Sequence, residues 1–578
     1  MPKKNFALLT AFALGAGLAS AETPSEALRK LCDDYTEFNY RADPARATAV
    51  GRNEYNDRWI DLSAAAIRSR AEAIAGFAKR LQAIPGAGLT GEDAITARVL
   101  DRDFSRAIER ERLGDRLLAV GQLYGLHNSV QQAFDHMPAR TEKDYRNIIA
   151  RINAIPALID QEIMLLQAAA AEGLTQPKVV IDRVVQQLDL QIAADDAHAA
   201  PLAALRHFPD SIPAGSRQGL TVEATDAYDH AFRPAWKTYR DFIAGPYAAK
   251  ARPGIGISSV PHGDEIYRFQ IQSLTTTNMT PEEIHKLGEQ ELSRIEGEML
   301  AIARQTGFQG TLAEFETKLK ADSAQHFRNQ EDMLVDARNT VMIVEPELPR
   351  LFDHIPWLLF GVRPIPPDNE ASMATHAEPP PLDHSRPGWF DINTWKPAEQ
   401  TRYDKESLAL HEAIPGHLLQ GAYAQAADLP QYRKTTWYPA YGEGWALYAE
   451  SLGGELGLYR DPYSRFGQLA SERFRAVRLI VDTGVHAMSW THEQAVAFFQ
   501  QHAPEESVAE IDRYISWPAQ ALAYKIGQLR ILQLRKLAQD SLGAKFDIRE
   551  FHYEVLRHGA LPLDVLEEQI RQYIAAKK

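Results

Sequence analysis

The stretch Leu408-Ala-Leu-His411-Glu412-Ala-Ile-Pro415-Gly416-His417-Leu-Leu-Gln420 constrains this chain more than any other. It is apolar and helix-like, yet two histidines bracket a carboxylate, and a Pro-Gly pair sits between them. In the common H-E-x-x-H pattern the histidines are four apart, so one helix face carries both. Here they are six apart, which on a straight helix separates them by roughly 120°. Pro415 has no N–H for the carbonyl of His411, and its ring crowds that turn. Gly416 tolerates backbone angles that other residues avoid. The pair therefore predicts a break or bulge that swings His417 back toward His411. Two neutral imidazoles with a Glu beside them form the residue set of a zinc hydrolase: nitrogens to hold the ion, a carboxylate to take a proton from water. The bland alternative is an ordinary helix end with two incidental histidines.

A third ligand is needed, and a catalytic zinc keeps a fourth position for water. The candidate lies in Tyr441-Gly-Glu443-Gly-Trp-Ala-Leu-Tyr-Ala-Glu450, 26 residues past His417 at Glu443, room for a loop and a return helix. Its two flanking glycines allow another backbone to come close. Glu450 lies seven residues on, about 20° away around a helix, so both carboxylates face one way. Glu443 is the expected ligand and Glu450 its support, with the reverse assignment open. Next, Arg478, Asp482 and His486 recur every fourth residue, one helix stripe. Asp482 is placed to orient His486, and His486 to donate to an oxyanion. Arg473, Arg475 or Arg478 suits a substrate carboxylate; an ion-pair ladder between helices explains the arginines equally well. Last, Gln520 and Tyr524 share a face after Pro518, and a phenol is a good oxyanion donor because it is neutral at pH 7. The substrate-binding candidates are thus Arg478, Gln520 and Lys525, and the catalytic ones Glu412, His486 and Tyr524.

Composition narrows the class. One cysteine, Cys32, excludes an internal disulfide and any zinc site built on two or more cysteines of this chain. Residues 1–21 have a basic start at Lys3 and Lys4, an apolar run and Ala19-Ser20-Ala21, the pattern of a secretory signal. Without those two lysines the net charge of −14 becomes −16, which argues against a nucleic-acid partner. Cys32 follows Arg29 and Lys30 rather than the apolar run, so no lipid attachment is expected there. No later stretch reads as membrane-spanning. The expected location is exported, periplasmic or extracellular.

From Ser25 to about Gly245 the pattern is helical, as in Ile148, Ile152, Ile155 and Ile159. Gly, Pro and Ser gather between 244 and 263 and suggest a boundary. Tyr267, Phe269 and Ile271 alternate with polar residues, a strand-like period of two. Thr280-Pro281-Glu282-Glu283 predicts a capped helix start. Gly361 to Gly388 holds seven prolines; so long a connection inside an ordered domain suggests a functional cleft edge. It runs into a short extended segment at 386–393.

The set H-E-A-I-P-G-H, G-E-G-W-A-L-Y-A-E, R-x-x-V-D-T-G-V-H and P-A-Q-A-L-A-Y-K-I-G resembles a bacterial family of exported proteins known only as domain of unknown function 885. That family in turn is similar to helical clamshell zinc peptidases of the angiotensin-converting and oligopeptidase types. The resemblance implies one zinc ion held by His411, His417 and Glu443, Glu412 as general base, and His486 and Tyr524 near oxyanion-donor positions. It implies a mainly α fold: a two-lobed helical clamshell with a small antiparallel β-sheet beside the active-site helix, a scaffold lobe over 22–248 and a catalytic lobe over 249–578. The function expected is an exported zinc metallopeptidase acting on short peptides held against a strand edge. The alternatives are a zinc hydrolase of other amides or esters, a metal-free peptide binder, and a structural envelope protein. Nothing in the sequence reads out the oligomeric state.

Overall fold

The computed structural model describes residues 22–366, 370, 373–384 and 386–578; the secretory-signal pattern in 1–21 lies outside them. The fold is mainly α, with one small sheet. Helix α1 (Pro24–Ala42) starts on a Thr23–Glu26 capping box. Its apolar stripe of Leu28, Leu31 and Cys32 is buried in the same core as Tyr432, Trp445 and Leu566 from the far end of the chain. A second core is built from residues 120–247, including α2 (Glu142–Ala171). The cores therefore do not divide at 248: residues 28–113 pack with the C-terminal part, because α1 alone cannot cover its own stripe.

Among the described residues α2 is the one helix long and apolar enough, by length and composition, to cross a membrane, which the sequence reading did not anticipate. One face of it packs in the second core. Ile148, Ile152, Ile155 and Ile159 are buried, and the equally buried Arg151 donates to the carbonyls of Pro44 and Arg58.

Helix α3 (Gly263–Thr275) replaces the strand expected at Tyr267–Ile271. Tyr267, Ile271 and Thr275 are buried at every fourth position, whereas Phe269 is only half-buried. A three-residue alternation fits both periods, and the partner under the i, i+4 face decides. Helix α4 (Pro281–Gln305) begins on the predicted Thr280–Glu283 capping box.

The sheet holds β1 (Phe360–Pro364), β2 (His376–Glu378) and β3 (Gly388–Ile392) in the order β1-β3-β2. β1 runs parallel to β3, and β2 antiparallel to it, so the sheet is mixed and not the antiparallel one expected. The proline-rich connection carries the chain back before β3 begins, which lets β3 run alongside β1. Phe390 and Ile392 pack on Ala409, Ala413 and Leu418, fixing the sheet to the two histidine helices. These are α5 (Lys405–Glu412) and α6 (His417–Ala426), followed by α7 (Pro439–Ser451). Behind them runs α8 (Pro462–Ala487), buried over most of its length and packed along α4. Short α9 (Ala509–Ser516) and long α10 (Ala523–Leu542) complete the surroundings.

Candidate metal centre

The chain leaves helical geometry between the two histidines. Ala413 adopts φ −91° and ψ −102°, Gly416 φ −73° and ψ −134°, and α6 then restarts at His417. A Cβ on Gly416 would lie 1.9 Å from the His411 carbonyl oxygen, so only glycine fits this return. The Trp445 indole donates to the Pro415 carbonyl at 2.8 Å and ties the break to α7. The predicted bulge is thus present, and it sets the two imidazole rings 4.9 Å apart and nearly perpendicular.

α7 brings the carboxylates. It crosses α10 so closely that a Cβ on Gly444 would lie 2.4 Å from Gly527 Cα. Glu443 Oε2 lies 3.5 Å from His411 Nε2 and 3.4 Å from His417 Nε2. One donor atom from each of the three residues falls within 4.8 Å of the others. Tetrahedral zinc with ligands near 2.1 Å needs donor separations of about 3.4 Å, and the two histidine–glutamate pairs meet that spacing. Glu450, fully buried, accepts from His411 Nδ1 at 2.8 Å. That bond directs Nε2 toward Glu443, the usual arrangement behind a metal-ligating imidazole. His417 Nδ1 is buried without such a partner.

The electrostatics fit a cation. Burial opposes a charge on His411, but hydrogen bonds to Glu443 and Glu450 and the nearby carboxylate of Glu412 raise it to about 10. Burial pushes Glu443 up, and its two histidine partners overcome that and hold it far below the ordinary carboxylate range. Protons here stand where a metal ion would compete for the same nitrogens. The donor set of two imidazole nitrogens and one carboxylate oxygen suits zinc.

The site opens onto a cavity of about 1310 Å³. Glu412 lines it and accepts the Ala377 N–H of edge strand β2 at 2.9 Å. Residues 374–377 and 379–382 line it too, so the proline-rich stretch forms a cavity rim. Tyr524 lines it as well, its ring 6.3 Å from that of His411 and nearly parallel. Arg475, Arg478 and Arg513 surround that phenol. Arg513 carried no spacing signal in the sequence.

Four candidates fall elsewhere. His486 is fully buried, taking the Ile257 N–H on Nδ1 at 3.0 Å and meeting the Tyr514 carbonyl through Nε2 at 2.9 Å. Both ring nitrogens are used and the ring does not line the cavity, so it cannot reach an oxyanion. Asp482 does not orient it; it accepts the Tyr267 hydroxyl at 2.6 Å and the Ala519 N–H at 3.1 Å. Lys525, fully buried, faces away, bonded to Glu472 at 2.6 Å, Glu291 at 3.0 Å and Gln528 at 2.8 Å. Gln520 is buried behind the wall, where it accepts from Arg513. Of the substrate-binding candidates only Arg478 lines the cavity.

A crystal structure described as the "putative lipoprotein from Colwellia psychrerythraea" superposes with a TM-score of 0.90 at 26% identity, covering 96% of this chain and 100% of that one. A "putative lipoprotein of unknown function from Shewanella oneidensis" shares the fold at a TM-score of 0.73 and 18% identity, covering 94% and 99%. No curated protein matches. The family profile for "Bacterial protein of unknown function (DUF885)" matches residues 44–570, so the chain belongs to the DUF885 family.

Proposed function

We propose that this protein is an exported zinc-dependent peptidase acting on short peptides. The observation that carries the reading is the meeting of His411 Nε2, His417 Nε2 and Glu443 Oε2 on one cavity wall, with Glu412 beside them. A zinc ion held by those three atoms would supply Lewis-acid polarisation of a carbonyl and a lowered pKa for water. Glu412, steadied by the Ala377 N–H, takes the proton from the attacking water and returns it to the leaving amine. Tyr524 donates its hydroxyl to the oxyanion. Residues 374–377, which lead into and along β2, line the cavity and give an extended peptide a wall to lie against.

Export rests on the signal-like pattern of residues 1–21 and on the description of both similar structures as lipoproteins. That description raises a lipid anchor, against the expectation drawn from the sequence around Cys32. Cys32 is a poor attachment point: it is fully buried in α1, and burial pushes its thiol up to about 12.

Elemental analysis of protein purified without added metal tests the centre. About one equivalent of zinc supports it; less than about a tenth favours a metal-free binder. Glu412→Gln should then cut hydrolysis of a short-peptide library by about 10²- to 10⁴-fold with zinc retained. A library left intact by the zinc-loaded protein would turn the reading toward other amides or esters.

A further inference from the structure

The most exposed large apolar side chain among the described residues lies outside the cavity wall. Trp357 is 89% exposed, with Ile355 at 38% and Leu359 at 59% on either side of it. No other five-residue stretch of the described chain holds three such side chains. Pro356, Leu358 and Phe360 are half-buried, and the last two pack on the core. The segment thus alternates as a strand does. Its outward positions, which ordinarily carry polar side chains, carry Ile, Trp and Leu instead. From Ile355 to Val362 no residue is charged. Both ends are tied down: the Asp353 carbonyl accepts the Tyr423 hydroxyl at 2.6 Å, and the Leu359 carbonyl accepts the Gly388 N–H at 3.0 Å. Pro356 stiffens the backbone between them. The three side chains are therefore held out on a stiff ridge.

We infer that this ridge is a membrane-contact site, seating Trp357, Ile355 and Leu359 in the interface of a lipid bilayer. Apolar surface held in water is unfavourable, and the size of the ridge says what covers it. Its three side chains expose on the order of 400 Å². A stable protein interface takes about 800 Å² from each partner, more than the ridge supplies. A bilayer sets no such threshold: indole and aliphatic side chains enter the headgroup region one by one, each adding its own burial. Charge points the same way. The chain carries a net −14, and the ridge has no cation of its own. Arg363, the guanidinium that follows it, is paired with Asp391 and Glu378. The attachment is therefore apolar and owes nothing to anionic headgroups. Three side chains give reversible contact rather than a permanent anchor. None of them lines the cavity, so the inference stands apart from the hydrolase reading.

Vesicle co-sedimentation of the full chain tests this, with phosphatidylcholine vesicles in one arm and added phosphatidylglycerol in the other. Trp357→Ala keeps every other apolar segment of the chain, and at so exposed a position it should fold as the parent does. The parent should sediment with both vesicle types to a similar extent, with little change when salt is raised. Trp357→Ala should bind at least about tenfold more weakly. Trp395→Ala, which removes a half-exposed tryptophan from the cavity wall, should bind as the parent does. Lipid brominated along its acyl chains should quench part of the parent's tryptophan emission, and that part should be missing in Trp357→Ala. Equal binding by the parent and Trp357→Ala overturns the inference, and so does a parent that binds neither vesicle. Binding that needs phosphatidylglycerol and disappears in salt overturns it in favour of a charged surface elsewhere. A parent that ignores vesicles but dimerises in sedimentation velocity, with Trp357→Ala monomeric, overturns it in favour of a second copy of this chain.

Discussion

His411 and His486 are both buried imidazoles, and their surroundings drive them in opposite directions. His411 meets carboxylates through both nitrogens and is raised to about 10. His486 is lowered to about 3 by burial, which its bond to the Tyr514 carbonyl only partly offsets. Burial alone therefore says nothing about chemistry. The partners do: anionic neighbours make a place for a cation, whereas a peptide N–H on one nitrogen and a carbonyl at the other make a neutral cross-brace between segments.

The largest expected effect separates the two. On the proposed reading, His411→Ala should weaken zinc binding by more than about 10³-fold, since one of the three proposed ligands would be gone. His486→Ala should leave zinc content and turnover intact. Metal titration of the two variants side by side checks it, and equal zinc affinities would erase the contrast.

Next in size is the stability cost at His486. Alanine leaves the Ile257 N–H and the Tyr514 carbonyl unpaired in the core, worth about 3 kcal/mol together. The pH profile carries a second mark. The folded value of about 3 lies below the unfolded value of 6.5, so the native state binds fewer protons between them. The stability this confers is complete above about pH 6.5 and is lost as pH falls toward 3, at up to about 1.4 kcal/mol per unit. In His486→Ala that slope should flatten. His552, also lowered to about 3, keeps a similar slope of its own in both proteins. Denaturant melts between pH 7 and about 4 measure both effects.

The same contrast shows what was legible in the sequence. The break at Pro415-Gly416 could be read because proline and glycine act on their own turn. The pairing of Glu443 with Glu450 could be read because helix period fixes which residues share a side. The stripe of Arg478, Asp482 and His486 is real as well, since all three are buried on α8. Spacing says only that they share a helix face, not what that face meets. Arg478 meets the cavity, while Asp482 and His486 meet Tyr267, Ala519, Ile257 and Tyr514. Lys525 follows Tyr524 by one residue, about 100° around the helix, and so points into the Glu291 and Glu472 network. Strand direction depended on how the proline-rich connection returned, which no local pattern encodes. Arg513 reached the site only through the packing of α9 against α8.

A smaller effect tests the support behind His411. Glu450→Gln keeps an acceptor for Nδ1 but removes its charge, so zinc affinity should fall about 10- to 100-fold. Competition with a chelator reads this out. Affinity unchanged within about threefold would mean that Glu450 is packing, and that the two histidine environments differ less than their partners suggest.

The smallest effect lies on the quiet side of the comparison. Tyr267 donates its hydroxyl to Asp482 at 2.6 Å, and its ring lies 5.2 Å from that of His486. Asp482 is fully buried, and burial raises it to about 7 against the pull of Tyr267 and Ala519. Tyr267→Phe leaves the ring packing in place and deletes one hydrogen bond, so stability should drop by about 1 kcal/mol. The carboxyl should rise further, because one of the groups that favour its charged form is gone. Neither change touches the cavity wall, so kcat/KM and zinc content should hold. A tenfold loss of turnover at unchanged stability would mean that the Tyr267–Asp482 pair reaches the chemistry after all. The long helix α8 would then transmit a signal where its buried stripe now reads as a strut.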